Sequence, residues 1–236
     1  EDESSLDAIE RLTGTSRVDG LLFSSLDDEA VLAPALQRTN VPTVVLNRRA
    51  QGVPHCVFLD TRVAAQIAVR HLIDLGHRRI AHLTGRPGAA GAQDRLEGYR
   101  NALRSAGLRF DRRLVATGGY TAEAGQLAME AVIQRVHPLP TAVFVATLLA
   151  AAGALKALRA HGLAVPHDMS IVTLHDGILA EMLDPPLTTV RLPTHRMGYE
   201  ATLGLVDLIE GREEKVDSVL APLGLVVRRS ATAPST

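Results

Sequence analysis

The stretch LDTRVAAQIAVRHLIDLGHRRIAHLTGRPGAAGAQDRLEGY, residues 59–99, decides the fold. Asp60 or Thr61 can cap a helix. Ala64, Ile67, Ala68, His71, Leu72 and Leu75 then recur at i, i+3, i+4 spacing and share one helical face. Gly76 ends that helix, because glycine enters a left-handed turn at little cost. Residues 79–83 are a short, mostly apolar run, the pattern of a strand covered on both faces. A loop containing Gly85, Pro87, Gly88 and Gly91 leads to a second helix that carries Arg95, Leu96, Tyr99 and Leu103. The loop is expected to open at the carboxyl end of a parallel strand, where open α/β sheets bind ligands.

The same alternation extends in both directions. Upstream, the sequence predicts a helix through about residue 12 and a strand over 18–23, with Ser24 and Ser25 just beyond it. A helix over 27–38, bent or broken at Pro34, and a strand over 42–46 follow. Asn47, Arg48 and Arg49 come after that strand, and a short strand over 57–59 leads into the quoted stretch. Downstream, strands are expected over 114–117, 141–146, 169–174, 187–192 and 223–228. Helices are expected over 121–136, 149–161, 178–183 and 194–209. Alternating strands and helices indicate parallel sheets wrapped by helices.

Composition narrows the function. The net charge of −1 leaves no electrostatic footprint for DNA or an anionic membrane. Cys56 is the sole cysteine, which excludes an intrachain disulfide and fits a reducing compartment. The longest apolar run, residues 142–155, is interrupted by Thr147 and Gly153 and is shorter than the roughly 20 residues that span a bilayer. His71, His77 and His82 fall on a helix, at its end and in a strand, so they do not converge as metal ligands must. The Gly85, Gly88, Gly91 loop is not GxGxxG, and GxxxxGK[ST] and GxSxG are absent. Neither a metal nor a cofactor is expected. No nucleophile is placed beside a base, so an enzyme is not expected either.

Several separate motifs carry a resemblance that runs in order from about residue 18 to residue 230. They are HLIDLGHRRIAHLTG, then Arg95 and Gly98-Tyr99, Gly153-Ala154-Leu155, GLAVPHDMSIV, PPLTTVRLP with Met197-Gly198, and LVVRRS. Together they resemble the effector-binding domain of lactose-repressor-type and galactose-repressor-type bacterial transcription regulators. The resemblance implies a periplasmic-binding-protein-like α/β fold of type I. In that fold two Rossmann-like parallel-sheet subdomains, joined by three crossovers, enclose a central ligand cleft. The crossovers are expected near 59–60, 190–193 and 212–218. The first subdomain is then 1–59 with 191–212, and the second is 60–190 with 213–236. In this family a strand, a hinge and a helix-turn-helix precede the region, and none stands ahead of the first helix here. The expectation is therefore an effector domain that touches DNA only through an N-terminal module missing from these residues.

The resemblance also selects site residues. The arginine matching Arg95 contacts the effector, and its planar fork of donors suits hydroxyl pairs, carboxylates or phosphates. Tyr120 stands where an aromatic ring often packs on the effector, although a core or lid tyrosine reads the same way. Asn47 and Ser24 hold strand-end positions that can face a ligand, or are simply turn residues. After residues 141–146 the family usually has Asn-Asp, and here it is Thr147-Leu148. After residues 169–174 it usually has two acidic residues, and here it is His175-Asp176. Fewer groups for a plain sugar remain, and His175 near Arg95 favours an acidic or phosphorylated ligand. The predicted ligand residues are thus Arg95, Tyr120, His175, Asn47, Thr147 and Ser24.

The function expected is an effector sensor that binds a sugar, sugar derivative or nucleoside and modulates operator binding. It is expected to be cytoplasmic, free of membrane, and homodimeric, since residues 149–161 are apolar on several faces and a second copy is the simplest partner. The alternative is a solute-binding protein of a sugar transporter, which the regulator-like LTTVRLPTHRMG stretch opposes.

Overall fold

The computed structural model describes residues 5–14, 18–24, 29–47 and 52–235. Contacts divide the chain into two units, Glu1–Asp60 with Gly88–Ala90 and Pro193–Ala221, and Thr61–Pro87 with Gly91–Leu192 and Pro222–Thr236. Ser25, Arg48, Arg49 and the expected beginning of the helix after residue 27 lie outside the described residues.

The first unit carries a four-stranded sheet. Its strands are β1 (Leu21–Phe23), β2 (Thr43–Leu46), β3 (Cys56–Leu59) and β9 (Asp217–Leu220), hydrogen-bonded in the order β1-β2-β3-β9 and all parallel. Helix α8 (Thr194–Ile209) packs on β1, β2 and β3. Helices α1 (Ser5–Thr13) and α2 (Glu29–Gln37) pack together, and Ile9, Ala35 and Leu36 join Phe23, Val45 and Cys56 in one apolar cluster. Helix α2 continues through Pro34 rather than stopping there.

Strand β9 was not expected. Only Leu220 of its four residues is buried, so it shows neither the apolar run of a central strand nor a clean alternation. It is an edge strand, bonded to β3, and pairing rather than burial holds it there. Residues 213–221, which the sequence assigns to the second subdomain, accordingly lie with the first unit.

The second unit carries a six-stranded sheet in the order β10-β8-β7-β6-β4-β5. Its strands are β4 (Ile80–Thr84), β5 (Val115–Thr117), β6 (Ala142–Val145), β7 (Ser170–Leu174), β8 (Thr188–Arg191) and β10 (Gly224–Val226). All pairs are parallel except β10 with β8, which corrects the expectation of parallel pairing throughout. An antiparallel edge on an otherwise parallel sheet needs no crossover helix.

Alternate residues of these strands serve two cores. Ala81, Leu83, Val143, Val145 and Ile171 face α5 (Ala122–Arg135) and α6 (Leu148–Ala160), where Met129, Val132, Leu155 and Leu158 close the layer. His82 and Phe144 take the intervening strand positions, stacked 4.6 Å apart, with Tyr99 of α4 (Ala90–Ser105) 5.3 Å from His82. The Tyr99 hydroxyl donates to the Ile80 carbonyl at 2.9 Å, so burial of the ring leaves no polar atom orphaned. The buried stripe of α3 (Thr61–Asp74) is Ala64, Ala65, Ala68, Val69, Leu72 and Ile73, shifted from the predicted face so that Ile67 and His71 sit at its margin. Helices α3 and α4 approach closely where Ala65 meets Gly98. A Cβ on Gly98 would stand 2.8 Å from that of Ala65 and closer still to the Arg62 carbonyl. His77 is fixed between Thr141 Oγ1 at 2.9 Å and the Thr232 carbonyl at 2.8 Å, a structural role with no nitrogen to spare.

Candidate functional site

The carboxyl ends of β4, β5, β6 and β7 lead into Gly85, the Gly118–Tyr120 turn, Thr147 and His175. Arg95, one turn and a half into α4, reaches this rim. Its guanidinium Nη2 donates to the Tyr120 hydroxyl at 3.2 Å, and its Cζ lies 5.8 Å from the Tyr120 ring centre. Tyr120 is delivered by Gly119, at φ 55°, and is followed by Thr121, whose hydroxyl caps α5 by accepting from the Ala124 amide at 3.1 Å. Gly85 makes the meeting possible. A Cβ there would lie 2.6 Å from the Tyr120 hydroxyl and 2.7 Å from Arg95 Nη2, so any side chain would drive the two apart.

Arg95 is only 5% exposed, and its Nε has no hydrogen-bond partner. Burial pushes its pKa down, with the Tyr120 hydroxyl pulling the other way. A guanidinium nonetheless stays charged. Asp94, its neighbour in sequence, is paired with Arg62 at 2.9 Å.

His82 lies beneath this group, fully buried. Its Nδ1 is 3.0 Å from the Phe144 carbonyl, which can only accept, so Nδ1 carries the hydrogen and Nε2 is a bare acceptor without a partner. Burial, opposed by that hydrogen bond and aided by the Arg95 charge, lowers its pKa to about 3, so the ring is neutral. His175 has φ 68°, unusual for a residue with a side chain, and its amide donates to the Val190 carbonyl at 3.1 Å. Burial and then the Arg95 charge lower its pKa also.

Of the predicted ligand residues, Arg95 and Tyr120 meet directly, and His175 lies within reach of the Arg95 charge. Thr147 stands at the rim, but its hydroxyl caps α6, accepting from the Ala150 amide at 3.3 Å. Ser24 and Asn47 belong to the first unit, follow β1 and β2 and are exposed, with Asn47 at φ 59°. The sequence reading missed His82 as a neighbour of Arg95. A histidine inside the run IAHLT, where every other residue suits a core, was the available signal.

Asp176, beside His175, is turned away from Arg95. It accepts from Arg191 at 2.7 Å, Arg228 at 2.8 Å and the Thr189 hydroxyl at 2.8 Å. Burial pushes its carboxyl up, but the hydrogen bonds from Arg228, Arg191 and Thr189 prevail and hold its pKa at about 2. Arg228 also pairs with Glu181 at 3.1 Å and donates to the Leu187 carbonyl at 3.0 Å. Among the described residues no group of histidine, cysteine and carboxylate side chains could hold a metal. No helix among them is long and apolar enough to cross a membrane.

A parallel-sheet unit with ligand-capable side chains at its carboxyl strand ends defines a class, and likeness to known proteins agrees with it. The periplasmic-binding-protein-like domain family matches residues 69–231. The chain is 38% identical to the HTH-type transcriptional regulator CelR of Thermobifida fusca over 94% of its own length and 66% of that protein's. It is 36% identical to the HTH-type transcriptional repressor CytR of Escherichia coli K12, over 93% of its length and 64% of that protein's. It thus spans just under two thirds of these relatives. A crystal structure of a LacI family transcriptional regulator from Mycobacterium smegmatis superposes with a TM-score of 0.91 at 38% identity, over 98% of this chain and 84% of that one. A complex of CelR with cellobiose gives a TM-score of 0.88 at 37% identity, over 97% of this chain and 71% of that one. The chain belongs to the LacI family of transcription regulators, and its two units form the periplasmic-binding-protein-like part.

Proposed function

We propose that this chain is the effector-sensing part of a DNA-binding transcription regulator. It binds a small polar metabolite at the strand ends of the second unit and modulates operator binding through the free-energy linkage between the two events. One observation carries the reading: the buried Arg95 guanidinium beside Tyr120, held at the rim by a glycine that leaves room for both. Sugars, sugar derivatives and nucleosides are the effectors to try first, since the similar regulator CelR has been solved with cellobiose. CelR and CytR are both regulators, which supports this reading over a transporter's solute-binding protein.

The protein reads DNA through a module outside these 236 residues, in keeping with their net charge of −1, and works in the cytoplasm. It is a homodimer. The side chains that support pairing are Ile178 and Met182 of α7 (Ile178–Met182), each 76% exposed, and Leu149 of α6, 53% exposed. An Ile178→Glu variant sedimenting as the wild type does would remove that face from the interface.

Arg95→Ala tests the site. It should abolish effector binding in calorimetry while leaving the melting temperature within a few degrees of wild type. Unchanged affinity would remove Arg95 from the site.

A further inference from the structure

We propose that the effector presents an anionic group, a carboxylate or a phosphate, to Arg95. The inference rests on the strand-end site described above and specifies the charge that site accepts.

Charge balance points to the anion. A guanidinium withdrawn from water needs an opposite charge or a full set of acceptors. Arg95 is 5% exposed and holds one neutral partner, the Tyr120 hydroxyl at 3.2 Å, while its Nε is left without any. Among the described residues no carboxylate forms an ion pair with it. The two nearest in sequence to the site residues are paired elsewhere, Asp94 to Arg62 at 2.9 Å and Asp176 to Arg191 and Arg228 at 2.7 and 2.8 Å, and Asp94 favours the charged Arg95 only through space, as the smallest of the opposing effects. The remaining neighbours supply no negative charge. His82 is neutral, with Nε2 an acceptor without a partner, and His175 can carry a positive charge but never a negative one. Both histidines feel the Arg95 charge as repulsion. A neutral polyol would offer acceptors to such a site but would leave its charge unbalanced. A carboxylate or phosphate supplies both, in the geometry that an arginine fork matches best.

The experiment uses the whole protein at constant pH and ionic strength. Acetate and inorganic phosphate serve as fragments, with chloride as the ionic control and glycerol and cellobiose as the neutral ones. Two signals are read, the melting temperature and the Arg95 Nε–H resonance, identified by its loss in Arg95→Met. Acetate or phosphate should move both signals, and the arm that moves them further separates a sugar acid from a sugar phosphate. Chloride and glycerol should move neither. Without any ligand, Arg95→Met should melt at or above the wild-type temperature, because it removes an unbalanced buried charge. Cellobiose moving the resonance while acetate and phosphate do not would overturn the inference and leave Arg95 as the effector residue. An Arg95 resonance indifferent to every probe, or a fall of several degrees in Arg95→Met, would overturn the inference as well. Loss of response to both sugar and anions only when residues far from Arg95 are changed would instead remove the strand-end reading itself.

Discussion

Two arginines of the second unit invite comparison. Arg228 has an 11% exposed side chain and meets Asp176, Glu181, the Thr189 hydroxyl and the Leu187 carbonyl. Arg95 is buried more deeply and meets one phenol. The residue type is the same, and the surroundings are opposite. Around Arg228 the charge is balanced and the donors are used, so the group ties β8, α7 and the stretch after β10 together. Around Arg95 the described residues supply no ion pair, an arrangement that costs stability. A paired charge belongs to the fold, whereas we assign the unpaired one at the strand ends to the proposed ligand.

The largest effect should come from breaking the balanced side. Arg228→Met leaves Asp176, 7% exposed, with only Arg191 and the Thr189 hydroxyl. Removing one partner of a buried pair typically costs 3–5 kcal/mol. With Arg191 remaining, about 2–3 kcal/mol is expected, or roughly 4–12 °C in melting temperature for a chain of this size. Denaturant unfolding measures it directly. The double variant Arg228→Met with Asp176→Asn should recover part of the loss, since no charge is then stranded. A loss for Arg95→Met as large as that for Arg228→Met would erase the distinction between the two sites.

Acid should draw on the two neighbourhoods in different windows. His82 has its folded pKa lowered to about 3 from an ordinary 6.5, so its neutral form is favoured by folding. The associated stability is complete above pH 6.5 and drains as pH falls towards 3, at about 1.4 kcal/mol per pH unit for one proton. Asp176, held at about 2 against an ordinary 3.8, contributes stability that is complete above 3.8 and is lost as pH falls towards 2. His55, His71, His77 and His175 are also lowered by burial and share the upper window. His82→Phe, which can stack between Tyr99 and Phe144, should therefore reduce the slope of stability against pH between 6 and 4 by up to one proton without abolishing it. A slope identical to wild type would mean that His82 is already charged in the folded protein.

The sequence made one side of this comparison readable and hid the other. Strand and helix order followed from period and punctuation, because Gly76, Gly107 and Gly162 each follow a helix and sit at positive φ. Arg95 stood out through its place after a glycine-containing loop. Its isolation could not be read, because that depends on where Asp176 points, and Asp176 is drawn off by Arg228, distant in the chain. The edge strand β9 escaped for a similar reason, since Asp217–Leu220 owes its conformation to pairing with β3 and not to its own pattern. Thr147 looked like a ligand residue because strand ends usually supply them. The structure adds that a helix begins at the next residue, and a threonine in that position is an N-cap first.

Thr147 and Tyr120 provide the finest test of what belongs to fold and what to ligand. Tyr120→Phe removes the single partner of Arg95 without creating a cavity. It should weaken effector binding roughly 5- to 10-fold, the worth of about one ordinary net hydrogen bond, with a change in stability below about 1 kcal/mol. Thr147→Ala should do the reverse. It removes the acceptor for the Ala150 amide and costs about 1 kcal/mol of stability, while affinity stays within a factor of two. Thr147→Ser keeps the cap and should restore the stability. Calorimetric affinity and denaturant unfolding on the same three variants decide the matter. If Thr147→Ala loses affinity and Thr147→Ser regains it with no change in unfolding, the hydroxyl serves the ligand rather than the helix. The line between the two kinds of residue then runs through Thr147 and not beside it.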